Sequence, residues 1–82
     1  MYNFVMRVVF TRHALVKMGR RNLSQEIVAD TVKFPEVIRE SRGGRKEYYR
    51  RYGRMYLKVI IKRERIVMLV LTAHWIARIP DS

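Results

Sequence analysis

The sequence predicts an α+β domain of order β-α-α-β-β-β-β, with two helices packed on one face of a mostly antiparallel twisted sheet. Three observations predict it. Hydrophobic residues alternate with period 2 at the start of the chain and again after residue 37. Between those regions stand two short segments of helical spacing, each preceded by a hydroxyl residue suited to cap it. Glycine-bearing pairs then punctuate the second half at hairpin spacing.

Met1–Phe10 sets Tyr2, Phe4, Met6, Val8 and Phe10 against Asn3, Val5, Arg7 and Val9, the pattern of a strand. Thr11 stands where an N-cap belongs, and Arg12–Arg21 reads as a short helix ending near Gly19. Ala14, Leu15 and Met18 form its apolar stripe, while His13, Lys17 and Arg20 share another stripe by i, i+4, i+7 spacing. Ser24 caps a second helix, Gln25–Lys33, with Glu26 at its positive end. Ile27, Val28, Thr31 and Val32 are its buried face, and Pro35 forbids its continuation. Val37–Ser41 is a short strand, Gly43-Gly44 a tight turn, and Lys46–Tyr52 the returning strand. After a turn at Gly53-Arg54, Met55–Ile61 places Met55, Leu57, Val59 and Ile61 on one face, opposite Tyr56, Lys58 and Ile60. Lys62–Arg65 reads as a charged turn. Ile66–Trp75 is apolar on both faces as far as Leu71, which predicts the centre of the sheet.

Composition narrows the function. Eighty-two residues allow one domain, and 49 % hydrophobic content is too high for a disordered tail. Without cysteine there is no disulfide scaffold, thiolate nucleophile or Cys-based zinc site. The longest apolar run, residues 66–71, is far short of the ~20 residues of a membrane helix. Arg7 interrupts the N-terminal apolar run, so no secretory signal is expected there. The expectation is a soluble cytoplasmic protein without a membrane partner.

Eighteen Lys and Arg against seven Asp and Glu give a formal charge of +11, a field that attracts polyanions. Thirteen of the cations are Arg, which grips phosphate through two parallel hydrogen bonds. Residues 39–65 carry +8 of that charge, interleaved with Tyr48, Tyr49, Tyr52 and Tyr56. Alternation sets Tyr48, Arg50 and Tyr52 on one face and Glu47, Tyr49 and Arg51 on the other. Aromatic rings beside guanidinium groups on a sheet suit single-stranded RNA. The plainer alternative is that these cations only discourage edge-to-edge aggregation, with the tyrosines at the rim of the core.

His13 and His74, 61 positions apart, are the only histidines, and no Asp, Glu or His pair has metal-ligand spacing. Gly43-Gly44-Arg45-Lys46 lacks the spacing of a phosphate loop. No serine stands beside a residue that would activate it. The reaction left is metal-free RNA cleavage by the substrate's own 2′-hydroxyl. It needs a base, an acid and cations to hold the charge of the transition state. Histidine suits the first two roles. His13 shares the Lys17/Arg20 stripe, and alternation puts His74 on one face with Thr72 and Val70.

Phe10-Thr11-Arg12-His13-Ala14, Arg21, Leu23-Ser24-Gln25-Glu26-Ile27-Val28, Pro35 and Val70-Leu71-Thr72-Ala73-His74 together carry a family likeness. Over residues 9–76 the chain resembles small prokaryotic domains similar to the RelE/ParE and BrnT toxins, within the superfamily of barnase-like and colicin-type ribonucleases. The resemblance implies a RelE-like fold: a four-stranded sheet with two helices on one side and an RNA-facing surface on the other. It implies a toxin–antitoxin pair, with RNA (free or ribosome-bound) as substrate and a small acidic antitoxin as partner. ParE-like members act on gyrase instead. Matched position by position, it singles out His13, Arg21, Thr72 and His74; the family often has Tyr where His74 stands.

The expectation is a metal-independent endoribonuclease without cofactor. Its catalytic groups would be His13, His74 and Arg50, and its RNA contacts Lys17, Arg20, Arg21, Tyr49, Arg51, Lys58 and Thr72. Two alternatives stay open: a non-catalytic RNA- or DNA-binding module, and an interaction domain for an acidic partner.

Overall fold

A computed structural model describes residues 7–81. The expected order of elements is present: β1 (Arg7–Phe10), α1 (Arg12–Arg20), α2 (Gln25–Lys33), β2 (Val37–Glu40), β3 (Arg45–Tyr52), β4 (Met55–Glu64) and β5 (Val67–Ile76). Tyr2, Phe4 and Met6 of the first expected strand lie outside the described residues. Among the described residues, no helix is long and apolar enough to cross a membrane.

Both helix starts follow from their caps. Thr11 accepts from the Ala14 amide at 3.0 Å, and Ser24 accepts from the Ile27 amide at 3.2 Å. Helix α1 ends at Arg20, near Gly19 as expected, but Gly19 is not the residue that terminates it. Asn22 supplies the left-handed residue (φ 54°), and the Leu23 amide returns to the Met18 carbonyl at 2.9 Å. This closure drops Leu23 into the core and starts the turn toward α2. Helix α2 stops at Phe34, directly before Pro35, as the missing proline N–H requires.

The five strands form one mixed sheet in the order β1-β5-β4-β3-β2. The β1–β5 pair is parallel and the other three pairs are antiparallel. The five strands are those the sequence order predicts, one more than the resemblance implies. The centre of the sheet differs from the expected β5. The middle strand is β4, between two antiparallel neighbours, while β5 is internal but second from the edge. The expected charged turn at Lys62–Arg65 is shorter than read: β4 continues through Glu64, and only Arg65 (φ 56°) and Ile66 turn the chain. Gly43 and Gly44 do form a tight connection, both at positive φ (65° and 74°).

Ala14 and Met18 of α1, and Val28 and Val32 of α2, pack on Leu57, Val59 and Ile61 of β4 and on Val70 and Ala73 of β5. Both helices therefore cover one face of the sheet. On that face Thr31, fully buried, donates to the Ile27 carbonyl at 2.9 Å and pairs with the Tyr52 hydroxyl at 3.0 Å. The Tyr52 ring meets Trp75 edge-on at 5.9 Å, tying α2 to β3 and β5.

The feature that matters most for function is a bulge. Ile61 pairs with Val70 and Ile60 pairs with Thr72, so Leu71 has no partner on β4. The extra residue resets the alternation of β5. Val70 and Ala73 both enter the core, three positions apart, and Thr72 and His74 turn to the open face. The expectation that His74 shares a face with Val70 is thereby corrected: it shares a face with Thr72 only.

Replacing Thr31 with Val should cost about 1 kcal/mol in chemical denaturation, because the Tyr52 hydroxyl loses one of its two partners at constant side-chain volume and keeps only the Ile27 carbonyl at 3.4 Å. An unchanged denaturation midpoint would show that this pair does not hold α2 to the sheet.

Candidate functional site

The open face of the sheet is organised by register. Tyr49, Lys58 and His74 stand in one row across β3, β4 and β5, and Glu47, Ile60 and Thr72 form the next. Helix α1 reaches this face from the side. Strand β1 ends at Phe10, opposite Val70, so the later part of β5 has an edge that β1 does not cover. Arg21, just past α1, donates to the Ala73 carbonyl on that stretch at 2.8 Å, and to the Thr72 hydroxyl at 3.4 Å.

His74 is half-buried, with cations from β4 on one side and from α1 and its C-terminal cap on another. Its pKa is held below the ordinary histidine value, first by burial and then by Lys58, Arg21 and Lys17. The imidazole is therefore uncharged at neutral pH, as a proton acceptor must be. Glu47 balances this positive surface in the adjoining row. The Tyr49 hydroxyl donates to it at 2.5 Å, and the Lys58 ammonium lies 3.9 Å from its other oxygen. Its pKa is lowered by the Tyr49 bond first, with burial opposing and Lys58, Ser41 and Arg39 assisting. The Tyr49 hydroxyl is pushed up to about 12 by burial and by that carboxylate, so it stays a hydrogen-bond donor.

Beside this cluster lies a cavity of about 430 Å³. Thr11, His13 and Lys17 of the α1 region form one wall, and Ser41 after β2 and Arg45 at the start of β3 form another. Ile60, Leu71 and Thr72 make the floor. Consecutive strand residues normally point to opposite faces, so Leu71 and Thr72 line one cavity only because of the bulge. Lys17 joins the two halves: it lines the cavity and also acts on His74.

No family model, curated protein or solved structure matches this chain.

Of the residues singled out in the sequence, the fold gathers Lys58, Arg21 and Lys17 about His74 and sets His13, Lys17 and Thr72 on the cavity, so that Lys17 joins the two groups while exposed His13 belongs to the cavity alone. Arg50 is placed elsewhere. It lies on the helix side of β3, donates to the Phe34 carbonyl at 2.7 Å, and packs its guanidinium on Tyr52, 5.7 Å from the ring centre. Alternation along β3 is the reason, since Arg50 pairs with the core residue Leu57. Tyr49 is on the open face but only 1 % exposed, with Lys58 6.0 Å from its ring centre, so it offers no free face for a base. The C-terminal segment crosses back to β2 in this region, where Arg39 donates to the Pro80 carbonyl. Arg51 is exposed beyond that row and donates through Nε to the Gly53 carbonyl at 2.8 Å. Arg20 is exposed on the last turn of α1, outside the cavity wall.

Sequence reasoning passed over Glu47, Ser41 and Arg45. A signal existed for Glu47, which alternation sets on the face of Tyr49 and next to cations. Ser41 and Arg45 carried none, because only strand pairing brings them beside α1. Among the described residues, no three His, Asp or Glu side chains gather as a ligand set.

In Lys58→Met the His74 ring should titrate at higher pH than in the parent, as followed by NMR of its ring protons. Lys17→Met and Arg21→Met should act in the same direction. Unmoved titration in all three would show that these cations do not converge on His74. The same shift has a consequence for stability. Between the ordinary value of ~6.5 and the lower folded value, the unfolded chain binds a proton that the native state does not. Stability should therefore fall as pH drops from about 6.5 through the folded value, and His74→Gln should flatten that fall in pH-dependent melts.

Proposed function

We propose that this domain is a metal-independent endoribonuclease, acting as a RelE/BrnT-type toxin that a small acidic antitoxin neutralises. What carries the reading is His74: a half-buried imidazole paired across the strands with Lys58, next to the stretch of β5 that Arg21 holds, in the field of Lys17, and beside a cavity that His13 and Lys17 line. Such cations make a phosphate site, and a neutral imidazole beside them is a base. In this mechanism His74 accepts the 2′-hydroxyl proton while the 2′-oxygen forms its bond to phosphorus. Lys17, Arg21 and Lys58 hold the charge that builds on the non-bridging oxygens. The bond from phosphorus to the 5′-oxygen breaks, and His13 donates a proton to that oxygen. The products are a 2′,3′-cyclic phosphate and a free 5′-hydroxyl.

Glu47 and Tyr49 serve as positioning residues, holding the Lys58 ammonium beside His74 rather than contacting RNA. Electrostatics supports the partner class. A chain with +11 charge, +8 of it within residues 39–65, favours a negatively charged macromolecule as substrate and as inhibitor. Both partners belong to a cytoplasmic setting, where RNA and ribosomes are reached directly.

Purified protein should cut single-stranded or ribosome-bound RNA in the presence of EDTA and leave 2′,3′-cyclic phosphate ends. His74→Ala and His13→Ala should each lower the rate ~10²-fold or more, the usual scale of acid–base catalysis. The acidic limb of the kcat/KM profile should lie below the ordinary histidine value and move upward in Lys58→Met. Full cleavage by both histidine variants would remove the mechanism. Salt-sensitive RNA binding without any product would leave a binding module in its place.

A further inference from the structure

We infer that the cavity beside His74 is a subsite for a single nucleobase, so that one defined nucleotide of a bound RNA chain leaves its stack and inserts there. This rests on the RNA reading above and adds to it where the chain is held and which part of it is recognised. The observations are the cavity's size, its floor and its rim. About 430 Å³ lies within the ~300–1,000 Å³ typical of small-ligand pockets, more than a phosphate alone needs. Its floor is aliphatic, Ile60 and Leu71, the kind of surface that packs against the flat face of a base. Among the tyrosines of the sheet, Tyr49 is sealed, Tyr48 and Tyr52 face the helices, and Tyr56, half-buried on the open face, lies in the row of Arg51 and Ile76 and does not line this cavity.

The rim is polar in a way that fits the edge of a base. The Thr11 hydroxyl accepts from the Ala14 amide and the Thr72 hydroxyl accepts from Arg21, so each keeps its own hydrogen to donate. Lys17 and Arg45, on opposite walls, suit the phosphates that enter and leave the inserted nucleotide. Because Lys17 and Thr72 also adjoin the His74 cluster, the seated nucleotide would be next to the phosphate positioned for cleavage. A base held there fixes the register of the chain against the imidazoles, which a patch of surface cations cannot do.

The test uses 2′-O-methyl tetranucleotides, which lack the attacking hydroxyl and cannot be cut, with one position at a time made abasic. Binding to the full chain is measured by fluorescence anisotropy. Removing the base at one position, and only one, should weaken binding ~10-fold, the scale of a single well-packed base. That dependence should disappear in Leu71→Ser and in Ile60→Thr, the second a milder change that keeps a β-branched strand residue. Lys17→Ala should weaken all the oligonucleotides alike. Equal effects of base removal at every position, or dependence that survives both floor variants, would overturn the subsite. Because nothing is cleaved, a protein that shows the single-position effect yet never cuts RNA would retain the subsite and lose the nuclease mechanism. An active nuclease indifferent to base removal would do the reverse.

Discussion

One unpaired residue in β5 organises the functional face of this protein. Without Leu71 as a bulge, strict alternation would carry Val70, Thr72 and His74 to the same side. Val70 is fully buried under the helices, so His74 would follow it toward the core. A desolvated imidazole there would need partners that the aliphatic layer of Leu57, Val59 and Ile61 does not offer. With the bulge, the apolar half of β5 satisfies the core through Met68 and Val70, and the later half does so through Ala73 and Trp75. The polar residues in between are released to the other face. The same local break directs Leu71 and Thr72 into one cavity. Packing demand and site geometry are thus met by a single irregularity.

Electrostatics on the open face works by contrast rather than by accumulation. Most of the chain's positive charge lies in solvent, where water and salt weaken it. Half-buried Lys17 and Lys58, and Arg21 at the rim, differ in acting on a half-buried imidazole, in a setting of lower dielectric than open water. Their effect on His74 has the same sign as that of burial, so the two reinforce each other. Glu47 keeps this arrangement tolerable. It is the carboxylate that accepts from Tyr49 and lies beside Lys58, and its own pKa falls in response. Three cations around one imidazole would repel one another more strongly without it.

The helices contribute unequally. Helix α2 is structural: its buried Thr31 locks onto Tyr52, and Arg50 closes its C-terminal end through the Phe34 carbonyl. Helix α1 has two jobs. Ala14 and Met18 hold it to the sheet, and its other stripe brings His13 and Lys17 to the cavity wall. Because β1 stops early, the end of α1 also completes the uncovered edge of β5 through Arg21.

The order of elements was legible because it depends on local chemistry: caps at Thr11 and Ser24, the stop at Pro35, glycines at positive φ, and alternation in each strand. So was the pairing of His13 with Lys17, which a helical turn dictates. Alternation also separated Arg50 from Tyr49 correctly, but it could not say which face the helices would take, and Arg50 went to the helix side. Tyr49 carried the pattern of an exposed stacking ring, yet tertiary packing sealed it against Glu47 and Lys58. Only the assembled sheet decided the rest. Strand order and the Leu71 bulge arise from pairing between residues distant in sequence, and hydrophobic periodicity within one strand holds no record of its neighbour's register. That register sets His74 beside Lys58, and helix docking adds Lys17 and Arg21, so the site itself exists only in three dimensions.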